Sequence, residues 1–322
     1  MTPLEYIQNL EFENKGVMPT SLANGEDYVE LLVEEVKGIL PKEIQDLLLN
    51  GKLISKSISF DGIIALTKPF IETSNNCYAV VLSNGLRRIV YAIARVAYQV
   101  MYTSQQYFDE TFESGCNQLI KLFYMLLRVE IPLAAHTRSD TLPPHIILEA
   151  SYAALAAEKF FLLHEYAHVW LYESQSHDDL SPHEREYYCD AFSSTLLIDN
   201  LPPPLIIAGM SIEQQKLANL RTIYSGIFIA LSLYDIAGEL GVALSDSHPT
   251  GLERQKMFRR NVRQHFGDEY LVKIRKQSLV IENFLNEVKE RTELLNNNGT
   301  LLDAIFKQQM DDLVSYLKGG CK

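Results

Sequence analysis

The sequence predicts a mainly α-helical α+β fold with one small β-sheet, on three observations. Apolar residues recur at helical spacing through most of the chain beyond residue 86. Strand-like runs are confined to residues 53–82. A chain of 322 residues with 47% apolar content can bury a sizeable core.

The elements follow in order. Tyr28, Leu31, Leu32 and Val36 share a helical face, and Pro41 opens a second short helix, PKEIQDLLLN, that Gly51 closes. LISKSISF at 53–60 alternates small polar with larger residues, Asp61-Gly62 offers a tight turn and IIAL resumes, a β-hairpin pattern. CYAVVL at 77–82, between Asn75-Asn76 and Ser83-Asn84-Gly85, is a further strand. Leu86, Ile89, Val90, Ile93, Val96, Ala97 and Val100 then mark one helix face, and 119–129 a second amphipathic helix. Past Pro143-Pro144, residues 146–172 lack proline and glycine and predict one long, mostly buried helix. Later helices are expected over 184–197, 212–240, 251–266, 270–295 and 301–317, the last with Thr300 as N-cap.

Acids outnumber bases by 41 to 29, and the net charge of -12 argues against nucleic-acid and anionic-membrane partners. Cys77, Cys116, Cys189 and Cys321 lie far apart with no CxxC pair, which fits a reducing compartment. The N-terminus has acids where a signal peptide needs bases, and the apolar run 223–234 is too short to span a bilayer. A cytoplasmic location is expected.

The chemistry lies in the long helix, which carries His164-Glu165-Tyr166-Ala167-His168, an HExxH. Histidines four apart share a helix face and can converge on one ion, with Glu165 directed at its open side as general base. Glu186-Tyr187-Tyr188-Cys189-Asp190 follows 18 residues on; Glu186 supplies a third ligand and Asp190, one turn later, orients a ligand histidine. Glu184 competes for the third place but has no such aspartate. Cys189 fits core packing, as do Tyr166, Tyr187 and Tyr188, and His177 and His183 read as surface loop residues.

HExxH with E-Y-x-x-D downstream resembles the gluzincin metallopeptidases. The resemblance implies a zincin-like core, the HExxH helix beside a small sheet, with zinc (Zn2+) on His164, His168 and Glu186. It also implies that the 77–82 strand is the edge on which a peptide substrate would lie. Ser247-His248-Pro249 with Arg254 resembles the HPxxxxR of CAAX-processing and heat-shock membrane peptidases and implies that His248 stabilises the oxyanion near the metal, with Arg254 close by. The soluble acidic chain is similar to the phage-exclusion Lit-type peptidases, bacterial cytosolic enzymes that cleave a host translation factor.

The expected function is therefore a zinc-dependent endopeptidase that cuts one cytosolic protein, restrained by a narrow site or an activating partner, in phage defence. The alternative is a metal-binding sensor or interaction protein with a non-catalytic site. The expected organisation is an N-terminal helical region with the small sheet and edge strand (1–140), a zinc-site helical core (141–270) and a C-terminal helical region (271–322), or one continuous domain.

Overall fold

The computed structural model describes residues 1–14, 27–58, 63–70, 76–128, 142–176, 178–201, 210–239 and 248–297. Helices α1 (Pro3–Asn14), α2 (Tyr28–Val36) and α3 (Lys42–Leu49) precede strands β1 (Leu53–Ile58), β2 (Ala65–Phe70) and β3 (Cys77–Ser83). Seven helices follow: α4 (Asn84–Tyr102), α5 (Phe108–Arg128), α6 (Pro144–Glu173), α7 (Pro182–Asp199), α8 (Ile212–Glu239), α9 (Gly251–Phe266) and α10 (Asp268–Asn297). A mainly helical α+β fold is the result. Helix α1 went unforeseen because its sequence is polar and only weakly one-sided, with Ile7 its buried anchor. The early half of α5, DETFESG, is equally polar. The helix expected at 301–317 and the Asp61-Gly62 turn lie outside the described residues.

Strand order is β1-β3-β2, with β3 parallel to β1 and antiparallel to β2. The expected hairpin between 53–60 and the IIAL run is therefore wrong, and so is the placing of 77–82 at an edge. The reason is burial. Tyr78, Ala79, Val80, Val81 and Leu82 are all at most 1% exposed, so this run needs cover on both faces and both sides, whereas β2 carries Lys68 and Pro69, residues suited to an edge. One face of the sheet packs Leu66, Phe70, Val81 and Ile54 against Tyr6 and Ile7 of α1, and the other rests on α6.

Side-chain caps tie the layers together. Asp27 accepts the Val29 N–H to start α2 (2.9 Å) and the Ser57 N–H of β1 (3.0 Å). The Ser83 hydroxyl accepts from Leu86 N–H, capping α4, and from Ile64 N–H beside β2.

Helix α6 runs through the centre, packed by α4, α7, α8 and the sheet. At its closest crossing, a Cβ on Gly226 of α8 would stand 2.4 Å from the Ala153 carbonyl of α6, so only glycine fits. Helix α8 is the one described helix long and apolar enough to cross a membrane, and 78% of its apolar window is buried inside the protein. Helix α10 lies along α8, α4 and α5.

Glu158 is buried in α6, 3.5 Å from the Arg87 guanidinium of α4, which sits over the Tyr28 ring. Burial pushes its carboxyl from 4.5 up to about 7, against the pull of Arg87. The folded chain thus holds this proton more tightly than the unfolded chain. Its contribution is fully present below pH 4.5 and is lost as pH rises through about 7, an effect of up to about 3 kcal/mol. Glu158→Gln is expected to flatten that decline and to raise stability at pH 8, measured by urea unfolding at pH 5 and pH 8; parallel profiles for variant and wild type would refute it.

Candidate metal centre

The two helices that carry the HExxH and the EYYCD runs start and stop for local reasons. Proline at the first turn opens α6, and a Schellman-type turn closes it: Ser176 N–H donates to the Leu171 carbonyl while Gln175 takes a left-handed φ of 56°. After that turn Ser181 and Glu184 form a capping box and Pro182 enters α7. Glu184 is thereby an exposed capping residue, with its carboxyl held low by the Ser181 hydroxyl and backbone N–H.

Helix α7 packs against α6, so the two i,i+4 pairs face each other. His164 and His168 approach with Nε2 atoms 3.2 Å apart. One carboxylate oxygen of Glu186 lies 3.3 Å from His164 Nε2, the other 3.4 Å from His168 Nε2. Asp190 meets the far side of the His164 ring, Oδ1 to Nδ1 at 3.0 Å, leaving Nε2 to face the cluster. His164, Glu165, Glu186 and Asp190 are all at most 6% exposed; His168 is half-buried.

Arg254 of α9 completes the layer behind. It is 1% exposed and grips Asp190 with two bonds, Nε to Oδ2 at 2.7 Å and Nη2 to Oδ1 at 2.6 Å. Its guanidinium stacks 4.5 Å from the Tyr234 ring centroid, and its Nη2 lies 3.9 Å from Glu186. His248 also reaches the cluster, with Nε2 3.5 Å from Glu186 Oε1, and stays partly exposed. It is not the cap of α9; Thr250 is, through a second capping box.

The electrostatics are those of a buried charge network. Burial alone would pull the His164 imidazolium down, yet its bonds to Asp190 and Glu186 outweigh this and push it up to about 9. Burial pushes Glu186 and Asp190 up, but the histidines and Arg254 hold Glu186 far below the usual carboxylate range, and Arg254 and His164 hold Asp190 low.

Cys189 is the residue that sequence reasoning set aside. It does pack among Ala167, Leu171, Leu180 and Phe192. Its sulfur and the His164 and His168 ring nitrogens also lie within 4.8 Å of one another, a buried His/His/Cys group that could hold a metal ion. Burial, followed by the charges of Glu186, Asp190 and Glu165, keeps its thiol well above the ordinary value. The place of Cys189, three residues after Glu186 and one before Asp190, was the available signal.

Glu165 lies against β2, where its Oε2 accepts the Thr67 hydroxyl at 2.8 Å. Nothing in the sequence marked Thr67, since strand alternation gives no partner across the fold. Tyr166 is buried as expected and bonds Ser55 (2.8 Å), Tyr187 is half-buried, but Tyr188 is 37% exposed because it stacks on Phe192 at the outer side of α7. His183 is exposed, and His177 lies outside the described residues. No family model, no curated protein and no solved structure matches this chain.

Arg254→Met should leave the Asp190 carboxylate buried without its bidentate partner and cost about 3–5 kcal/mol of stability. Chemical denaturation measures this; a loss below about 1 kcal/mol would mean the pair is not what holds α9 to α7.

Proposed function

We propose that the chain is a zinc-dependent endopeptidase whose metal is held by His164, His168 and Glu186. The observation that carries this reading is the convergence of the two imidazoles and one carboxylate. The two Nε2 atoms stand 3.2 Å apart, close to the roughly 3.3–3.4 Å expected of two donors on a tetrahedral zinc, and the Glu186 carboxylate spans them, one oxygen 3.3 Å from His164 Nε2 and the other 3.4 Å from His168 Nε2. The chemistry of the set supports zinc as well: two imidazoles and one carboxylate, with Asp190 on the second nitrogen of a ligand histidine.

When bound there, zinc supplies Lewis acidity and brings its water to a pKa of about 7. The chain's own residues do the rest. Glu165 takes the proton from the attacking water and returns it to the leaving amine. His248, the most exposed member of the cluster, donates to the developing oxyanion. Asp190 fixes the His164 ring so that Nε2 remains a donor to metal, and Arg254 keeps Asp190 ionised.

The substrate in this reading is an extended segment of a cytosolic protein, laid along β2 and not along β3. The Ser83 N–H donates to the Ile64 carbonyl, and antiparallel pairs alternate along the register, so the Thr67 N–H and C=O point away from β3. Among the described residues no strand covers that side, and an edge of this kind accepts a peptide by strand addition. A largely buried site fits an enzyme that cuts a specific protein, with an activating partner and a role in phage defence as the further expectation.

A second reading is favoured by Cys189. If its sulfur joins the two histidines and Glu186, four protein donors close the site, as in structural or sensing zinc centres. Two variants separate the readings. Glu165→Gln is expected to retain one zinc per chain and lose lysate cleavage, compared with wild type by sequencing new N-termini. Cys189→Ala is expected to retain zinc and cleavage under the peptidase reading. Loss of zinc from Cys189→Ala, with no Glu165-dependent cleavage, would establish the closed site.

A further inference from the structure

The Thr67 hydroxyl touches one residue of α6 at two places: Glu165 Oε2 at 2.8 Å and the Glu165 backbone carbonyl at 2.9 Å. These are contacts between residues 98 apart in sequence, from strand to helix, and among the described residues no other hydrogen bond to the Glu165 carboxylate is seen. A glutamate has three side-chain torsions to fix, and among the described residues Thr67 is the polar anchor of the Glu165 carboxylate, which is 5% exposed. The single hydroxyl proton is shared between these two acceptors, and its place beside both holds β2 against the HExxH turn and favours the carboxylate rotamer that brings Oε2 to Thr67. With Oε2 bonded to Thr67, Oε1 is the oxygen left to take a proton from water.

The position of Thr67 in the sheet adds a second role for the same residue. Its side chain faces α6, while its N–H and C=O face the side of β2 that no described strand covers. The residue that anchors the base is thus also the one whose backbone would pair with an incoming strand.

We propose that Thr67 is the positioning residue for Glu165, orienting its carboxylate for proton transfer and linking it to the strand on which substrate is laid. This rests on the peptidase reading above. A hydroxyl that only satisfied a buried carboxylate would affect folding; one that orients the base affects turnover at unchanged substrate affinity.

The test uses Thr67→Val, which keeps the branched shape and removes the donor, and Thr67→Ser, which keeps the donor; Thr67→Ala replaces the valine variant should that one fail to fold. Two readouts apply to zinc-loaded full-length protein. The first is kcat and KM on the cleaved protein. Thr67→Val is expected to lower kcat by about 10-fold or more with KM within about 2-fold, and Thr67→Ser to stay near wild type. The second needs no substrate: calorimetric titration with acetohydroxamate, whose carbonyl and hydroxyl oxygens chelate a metal while its hydroxyl proton passes to a neighbouring oriented carboxylate. Thr67→Val should weaken that binding by about 10-fold, Thr67→Ser should not, and Thr67→Val should add nothing in a Glu165→Gln background. Serine as damaging as valine, or losses that add in the Glu165→Gln background, would overturn the proposal. Acetohydroxamate binding that Thr67→Val leaves intact overturns it alone, whereas wild-type protein that takes up zinc yet ignores acetohydroxamate overturns the open-site reading and this proposal with it.

Discussion

A helix enclosed on every side must find a partner for each polar group it carries, because water is not there to supply one. Helix α6 is such a helix through its middle, from Ala153 to Leu171, and several of its polar residues are met by different elements. Glu158 meets Arg87 of α4, His164 meets Asp190 of α7, Glu165 meets Thr67 of β2, Tyr166 meets Ser55 of β1 and Glu173 meets Tyr78 of β3. Asp190 in turn needs Arg254, which draws α9 into the same network. The small sheet, the flanking helices and the cluster of histidines are therefore joined through one helix, and the position of each element is set as much by these polar pairings as by the apolar packing around them.

Such a network is exacting. Three carboxylates, an arginine and one histidine are taken out of water in one place, with a second histidine half-buried beside them, and each charge is tolerable only beside its neighbours. The Gly226 crossing, where α8 lies directly on the α6 backbone, shows how little slack the surrounding packing leaves. The same density holds the His164 and His168 Nε2 atoms 3.2 Å apart, with one Glu186 oxygen 3.3 Å from the first and the other 3.4 Å from the second.

Much of this was legible in the sequence, and the limits have physical causes. Residues 251–266 were bounded correctly because Thr250 and Gly267 punctuate them, and the long central helix was visible from its proline start and unbroken apolar content. The pairs 164/168 and 186/190 could be read as two helix faces, since helical geometry is local. Sheet order was not legible: which strand lies in the middle depends on what covers it, and β3 revealed its central place only through burial on both sides. Thr67 was invisible for the same reason, being 98 residues from its partner. Cys189 shows a different limit. A buried cysteine on a helix reads as packing, and packing it does, while its sulfur still lies beside the histidines.

Pro69 lies on the side of β2 that no described strand covers, two residues beyond Thr67, and proline has no N–H to offer. A strand arriving there can be held by donors at Ala65 and Thr67 but finds an acceptor alone at Pro69, so the ladder cannot run the length of the edge. An uninterrupted flat edge invites identical chains to stack on it, edge to edge. The missing hydrogen at Pro69 thus breaks the ladder of donors along this side of the sheet and makes it a poor template for edge-to-edge aggregation.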